Sequence, residues 1–479
     1  SFTKTSILMK LSKRIKLLYG FGFSAQGIKD GLFQIFLFFY FSQVLGLGAG
    51  LTGLATIIAL FFDAISDPLV GVLSDRWKSE RWGRRHGFMV ISAIPLGVFI
   101  YLLFSPPSDL DQVGLFLWLT TFTILVRVSL TLFQVPGMSL GAELSVDYNE
   151  RTSITSYRVM FVALMSTLII IIGFVVFFVP SEKYSRGLMN PETYPKFAMF
   201  CGFLIILSII VSALGTKKVI PLLPKAAENQ IKFNLKTFFK EVAMMFRMKS
   251  YRTIILYTMV LYIGIGVGTV FTTYFMEYYF QFTETQMALL PIASGIGGIL
   301  ALFLASILGE KFDKKRAVLY STIAFSILFS LPYNLRLLGM FPENGEASLI
   351  LIYFVCILFA YMFLWIVLSI VGSMMADVVD EFELKTNNRN EGLFFSSMSF
   401  AYKCTVGLGY FIAGVLLEII AFPKQVGVED VPIKAIEGLG FIGGPVLMST
   451  YLIAIIFLIA YPINKKRYNE IRVALKNKK

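Results

Sequence analysis

Two acids on one predicted helix offer the most chemistry in this sequence. Phe62-Asp63-Ala64-Ile65-Ser66-Asp67-Pro68 lies in an otherwise apolar stretch, and Asp63 and Asp67, four residues apart, share a helix face. Two carboxylates that close, shielded from bulk water, cannot both be ionised without a positive partner. A proton, a metal ion or a basic side chain can serve. Ser66 adds a hydroxyl one turn away, so the set offers the oxygen ligands a hard ion such as Na+ takes, whereas a proton needs one carboxylate. Neutralised instead by Arg158 or Lys403, the same acids form a structural ion pair. Lys403, beside Tyr402 and Cys404 in an apolar stretch, demands a carboxylate of its own. A lysine that competes with a cation for Asp63 and Asp67 would couple the two halves of the chain.

Other polar residues fall inside predicted membrane helices, where an ionisable group costs about 2.5–3.5 kcal/mol or more. Arg127, Thr131 and Gln134 share a face; Lys29 and Asp30 follow Gln26; Tyr262, Thr269, Thr273 and Glu277 follow one another along a later helix, and Trp365 stands on another. For each, helix–helix adhesion or interface anchoring competes with substrate contact. At the helix ends, Asp75 can pair with Arg84 or Arg85, and Glu143 with Arg151, as a cytoplasmic latch that holds one state of a moving protein. The same charges also set topology. His86, the single histidine, reads as interfacial, and Cys201, Cys356 and Cys404 as small buried hydrophobes without metal-ligand spacing. No nucleophile–base set and no phosphate-cradling glycine loop is present, which argues against an enzyme, a bound cofactor and ATP drive.

The elements that must hold these groups are membrane helices. Of 479 residues, 56% are hydrophobic and 15% charged, with mean hydropathy +0.73. A soluble domain carries about 25% charged residues, so this chain lacks the polar surface a water-soluble globule needs. Residues 161–179, 200–214, 349–370 and 445–461 contain no Asp, Glu, Lys or Arg, and about 20 apolar residues cross a bilayer. The net charge of +13 does not point to nucleic acid, because Lys and Arg gather in alternate inter-helix segments while 105–112 and 281–286 have none. That pattern places both termini in the cytoplasm of a cell inner (plasma) membrane protein.

Twelve spans are predicted, at 17–43, 50–74, 87–104, 113–144, 153–179, 195–214, 251–280, 285–308, 315–337, 347–376, 391–421 and 440–463. They divide into an N-terminal six-helix bundle (1–215), a cytoplasmic linker with an amphipathic helix (216–250), a C-terminal six-helix bundle (251–463) and a basic cytoplasmic tail (464–479). Gly71-Val72-Leu73-Ser74-Asp75-Arg76 after the second span is answered by Gly309 to Arg316 after the eighth. Ala142-Glu143 after the fourth is answered by Ala376-Asp377 after the tenth, and Tyr157-Arg158 by Tyr402-Lys403. Three matches at corresponding places indicate a duplicated all-α architecture, the parallel-repeat plan of the major facilitator fold.

Asp63-Ala64-Ile65-Ser66-Asp67-Pro68, Arg81-Trp82-Gly83-Arg84-Arg85, Val135-Pro136, Ala376-Asp377-Val378-Val379-Asp380 and Lys403 together resemble the glycoside–pentoside–hexuronide:cation symporters, over roughly residues 15–460. The resemblance implies a major facilitator fold, alternating access, and symport of a sugar-like solute with Na+, Li+ or H+. It implies cation binding by Asp63 and Asp67 with Ser66 and Thr131, coupling by Lys403, and a substrate contact at Arg158. Where the family's sugar binders carry an Asp on the first helix and an Asp and a Trp on the fourth, this chain has Gly27 or its neighbour Gln26, then Gln134 and Met138. Gln26, Gln134, Met138, Arg158 and Trp365 are thus the expected substrate contacts, in a pocket that differs from that of a galactoside carrier. The family's lysophospholipid branch leaves an amphipathic solute as one alternative, and a membrane sensor that binds without transporting is another. The expected partners are a solute, a cation and the bilayer, with no nucleic acid, for a monomeric chain.

Overall fold

The computed structural model describes residues 11–77, 79, 82–83, 85–145, 147–223, 243–311, 313–386 and 391–478. The chain forms two compact units, Ser1–Phe233 and Asn234–Lys479. Among the described residues the regular structure is helical throughout.

In the first unit, α1 is assembled from Lys13–Gly22, Ser24–Gly31 and the π turns Leu32–Leu37 and Tyr40–Val44. Then come α2 (Ala49–Arg76), α3 (His86–Leu103), α4 (Gln112–Glu143), α5 (Tyr148–Ile172, extended by the π turn Gly173–Phe177) and α6 (Thr193–Thr216). The second unit holds α7 (Lys249–Tyr274, extended by Phe275–Tyr279), α8 (Glu284–Lys311), α9 (Lys314–Leu337), α10 (Ala347–Thr386) and α11 (Glu391–Ile419). It ends with α12, built from Ile433–Phe441, Ile442–Val446 and Leu447–Ile459, and a tail helix α13 (Lys465–Lys478). Eleven of these helices are long and apolar enough to cross a bilayer. The short pieces of α1 keep it outside that set although its run, 13–44, is of spanning length.

Acids and hydroxyls set several helix starts, because the first turn leaves backbone donors without partners. Asp111 Oδ1 accepts from Gly114 N at 2.7 Å at the head of α4. Asp147 Oδ1 accepts from Glu150 N at 2.8 Å at the head of α5. The predicted spans match these helices closely. The exceptions are α10, which runs ten residues further, α12, which starts seven residues earlier at Ile433, and the tail, which forms a helix whose Ile471 is buried. Most of the predicted linker helix lies outside the described residues.

The two units repeat one packing scheme. In the first, α1 packs on α5 and α6, α2 on α4, and α3 on α4 and α6. In the second, α7 packs on α11 and α12, α8 on α10, and α9 on α10 and α12. Glycine makes the tightest of these contacts. A Cβ on Gly27 of α1 would stand 2.4 Å from the Val162 carbonyl oxygen of α5, and one on Gly409 of α11 would stand 2.5 Å from that of Ile263 on α7. Close backbone approach through small residues is how helices gain contact where no hydrophobic force separates lipid from protein.

Candidate functional site

Helix α1 has one open stripe, and it is polar. From Gly22 to Val44 every residue is buried except Gln26 and Asp30, which are half-buried, and Gln34, which is exposed. A face turned to hydrocarbon looks different: α6 exposes Met199, Phe203, Leu207 and Leu214. Polar side chains on a membrane helix line water or a substrate path rather than lipid. Of the two residues expected at the family's first-helix acid, Gly27 is pressed against α5 and reaches nothing else. The open stripe carries Gln26, and the carboxylate stands one turn on, at Asp30.

Asp30 is held by its neighbours. Lys29 Nζ donates to Asp30 Oδ1 at 2.5 Å, and Gln26 Nε2 lies 3.5 Å from Oδ2. The Lys29 ammonium also lies 5.3 Å from the centre of the Phe33 ring, and the Arg127 guanidinium of α4 lies 5.6 Å from the same ring. The Phe33 ring thus lies beside two cations, each of which also has a carboxylate, Asp30 for Lys29 and Asp63 for Arg127.

Arg127 leads to the acid pair on α2. Its Nη1 donates to Asp63 Oδ2 at 3.2 Å. Thr131, one turn along α4, has its Oγ1 3.1 Å from Asp63 Oδ1 and 3.0 Å from Asp67 Oδ1. A hydroxyl has one hydrogen, so Thr131 can donate to only one of the two acids at a time. Ser66 turns its hydroxyl onto the Asp63 main-chain carbonyl at 3.1 Å, leaving its oxygen lone pairs as possible ligands. The structure therefore brings Asp63, Asp67 and Thr131 together, and it supplies a basic side chain to Asp63. That side chain is Arg127. The sequence suggests Arg158 or Lys403 and places Arg127 only on the face shared with Thr131 and Gln134.

Further along that face, Gln134 is half-buried and makes no hydrogen bond among the described residues, while Met138 is exposed. Arg158 of α5 sits over the Phe23 ring at 5.5 Å and makes no ion pair among the described residues.

Residues 18–465 match the MFS/sugar transport protein family. The chain belongs to that family. It is 26% identical to an uncharacterized symporter of Synechocystis sp., over 97% of each chain. It is 22% identical to an isoprimeverose transporter of Lactiplantibacillus pentosus, over 92% of this chain and 87% of that one. The crystal structure of a mutant of the nucleoside transporter NupG superposes with a TM-score of 0.62 at 13% identity, covering 94% of this chain and 98% of that one. That likeness carries the fold alone, the twelve-helix major facilitator arrangement. The protein is a multi-pass membrane transporter and not an enzyme.

In this sugar-transport-family protein the second unit carries fewer open polar groups. Lys403 is half-buried on α11, and its neighbour Tyr402 is exposed, with its ring edge-on to Tyr262 of α7 at 4.7 Å. This aromatic pair was not singled out from the sequence. Trp365 of α10 is exposed and lies over Gly298 of α8. Thr269 is half-buried, its hydroxyl donating to the Ile265 carbonyl at 2.8 Å, and Thr273 and Glu277 are buried.

The expected latch takes a different form at Glu143. Glu143, read from the sequence as a partner for Arg151, is held by Arg85, whose Nη2 and Nε lie 2.7 and 3.1 Å from Oε1. Arg85 Nη1 donates to Ser74 Oγ at 2.8 Å. Arg151 instead donates to the Ser145 carbonyl at 2.6 Å, since Asp147 and Ser145 lead the chain back at the head of α5. Arg84 and the Asp75 side chain lie outside the described residues. The second unit repeats the tie: Lys314 Nζ lies 2.8 and 2.7 Å from the two Asp377 oxygens, joining α9 to α10 as Arg85 joins α3 to α4. His86, expected at the interface, is fully buried, with Nε2 2.9 Å from Thr216 Oγ1. Because Thr216 spends its own hydrogen on the Ser212 carbonyl, His86 is the donor.

Proposed function

We propose that this protein carries a small, hydroxyl-rich solute of the sugar or glycoside class across the cell inner membrane together with Na+ or H+, by alternating access, with both termini in the cytoplasm and the chain acting as a monomer. The observation that carries the reading is the open stripe of Gln26, Asp30 and Gln34 on an otherwise buried helix. Amides and a carboxylate accept from and donate to sugar hydroxyls, whereas a lysolipid tail gains nothing from them. Gln134, Met138 and Arg158 extend the substrate contacts within the same unit, and Trp365 and Tyr402 offer aromatic faces in the other. Asp63 and Asp67, with Ser66 and Thr131, form the cation-responsive element, and Lys403 is the coupling residue. Cation and solute act by shifting the populations of the transport states. The family match and the symporter among the relatives support this reading.

The test is accumulation of a panel of labelled glycosides, hexuronides and lysolipids in vesicles bearing the protein, with imposed Na+ or H+ gradients. Gradient-driven accumulation of a glycoside or hexuronide is expected. Accumulation of lysolipids alone would favour the amphipathic alternative, and binding without accumulation in any arm would make the protein a sensor.

A further inference from the structure

The Asp63 carboxylate is the deepest acid of the pair, and both of its oxygens are engaged from α4: Oδ1 by Thr131 and Oδ2 by Arg127. The ion pair is nearly enclosed, with 11% side-chain exposure on each partner. The guanidinium is also fixed from the other side. Its Cζ lies 5.6 Å from the centre of the Phe33 ring, itself buried in α1, and its Nε is buried without an acceptor among the described residues. A donor left in that condition is tolerated because the other end of the group is anchored to a charge.

An arginine keeps its charge in any physiological medium. A metal ion at Asp63 would share one carboxylate with this tethered cation, in a medium that screens poorly. Thr131 Oγ1 and the Asp67 carboxylate lie on the Oδ1 side of Asp63, so what weighs against a metal ion here is the guanidinium held on Oδ2. The guanidinium therefore already takes up one oxygen of the carboxylate that a Na+ or Li+ ion would share.

We propose that Arg127 is a resident counter-cation that excludes Na+ and Li+ from the Asp63 carboxylate, and so sets which cations this protein can use. The role rests on the cotransport reading, but the exclusion itself is a property of binding and can be read without transport. The cation that drives solute movement is then not a metal ion held by Asp63.

The experiment is thermal unfolding of the purified full chain in detergent, with choline replaced stepwise by Na+ or Li+ at constant ionic strength. The proteins compared are the wild type, Arg127→Gln, Arg127→Lys and the double variant Asp63→Asn/Arg127→Gln. The wild type and Arg127→Lys are expected to show no saturable, metal-specific rise in midpoint. Arg127→Gln should start lower in choline and rise with Na+ or Li+ along a saturable curve, with an apparent affinity at least tenfold tighter than any wild-type response. The double variant should lose that rise, which assigns it to Asp63. A saturable Na+- or Li+-specific rise in the wild type, or a folded Arg127→Gln that ignores both ions, overturns the proposal. If Arg127→Gln is recovered only in Na+ or Li+, that is the same stabilisation in another form and supports it. If it is recovered in no medium, the wild-type titration decides, a flat response supporting the exclusion and a saturable one refuting it. Failure of the transport reading looks different: no solute accumulates under any gradient, whatever the ions do to the midpoint.

Discussion

The Arg127 guanidinium of α4 reaches across to the Asp63 carboxylate of α2, and Thr131, one turn further along α4, reaches both Asp63 and Asp67. The tie between the helices is thus a charge pair flanked by a hydroxyl. Removing one charge from a nearly buried pair costs about 3–5 kcal/mol, because the other is left uncompensated. Arg127→Met and Asp63→Leu should each destabilise the fold strongly, and the double variant should recover much of the loss. Unfolding midpoints in detergent, arranged as a double-mutant cycle, measure this. Additive losses would show that the pair carries no mutual energy.

Neighbouring residues on α1 should behave in opposite ways. Gly27 stands against the Val162 carbonyl, so even a methyl group forces α1 and α5 apart. Gly27→Ala is predicted to cost about 1–3 kcal/mol by overpacking and to lower the yield of folded protein. Gln26→Ala and Gln34→Ala touch only the open stripe. They should leave the midpoint unchanged and reduce solute uptake through a raised KM. Uptake kinetics beside unfolding midpoints separate the two effects, and a Gln34→Ala with unaltered uptake would remove that residue from the solute path.

How much of this site could be read from sequence follows from the helix geometry. The spans were legible because apolar runs and alternating basic loops respond to the bilayer alone. Asp63, Asp67 and Thr131 could be picked out individually. The Asp63–Arg127 pairing could not, since a shared face on one helix does not say how far that helix is rotated toward its neighbour. Gln34 was hidden for a different reason. Gln26, Asp30 and Gln34 are spaced i, i+4, i+8 and so fall on one helix face, but the apolar run around Gln34 gives no sign in the sequence of which face stays open. The Arg85–Glu143 tie was half legible: the residues were named, but the partner was chosen by proximity in sequence.

The Arg85–Glu143 and Lys314–Asp377 ties should differ in energy despite their matching positions. Arg85 and Glu143 are 6% and 14% exposed, whereas Lys314 is 28% exposed. Glu143→Gln takes the carboxylate away from a buried guanidinium, and a loss of about 3 kcal/mol is expected. Asp377→Asn leaves Lys314 partly in water, with its ammonium over the Tyr468 ring at 4.9 Å, so a loss of about 1–2 kcal/mol is expected. Comparing the two midpoint shifts checks the order. Equal losses would mean that burial does not govern these pairs.

The turns after α1 and α7 offer the cleanest internal control. In the first, Leu45 N donates to the Tyr40 carbonyl and Leu47 N to that of Phe41, both at 2.9 Å. In the second, Phe280 N donates to Phe275 and Phe282 N to Met276, again at 2.9 Å. Both turns pass through a left-handed residue, at φ +75° for Gly46 and φ +51° for Gln281. A side chain in that region costs about 1–2 kcal/mol, and glycine avoids the cost at some expense in chain entropy. Gln281 is exposed and its side chain makes no hydrogen bond among the described residues, so Gln281→Gly should raise stability by about 0.5–1 kcal/mol. Gly46→Ala should lower it by about 1 kcal/mol or more, because the left-handed backbone is fixed by Gln112, whose Nε2 donates to the Gly46 carbonyl at 2.9 Å and whose Oε1 accepts from Gly48 N at 2.9 Å. Midpoints of the two variants, moving in opposite directions, would establish that the same turn is built twice with different residues at its strained position.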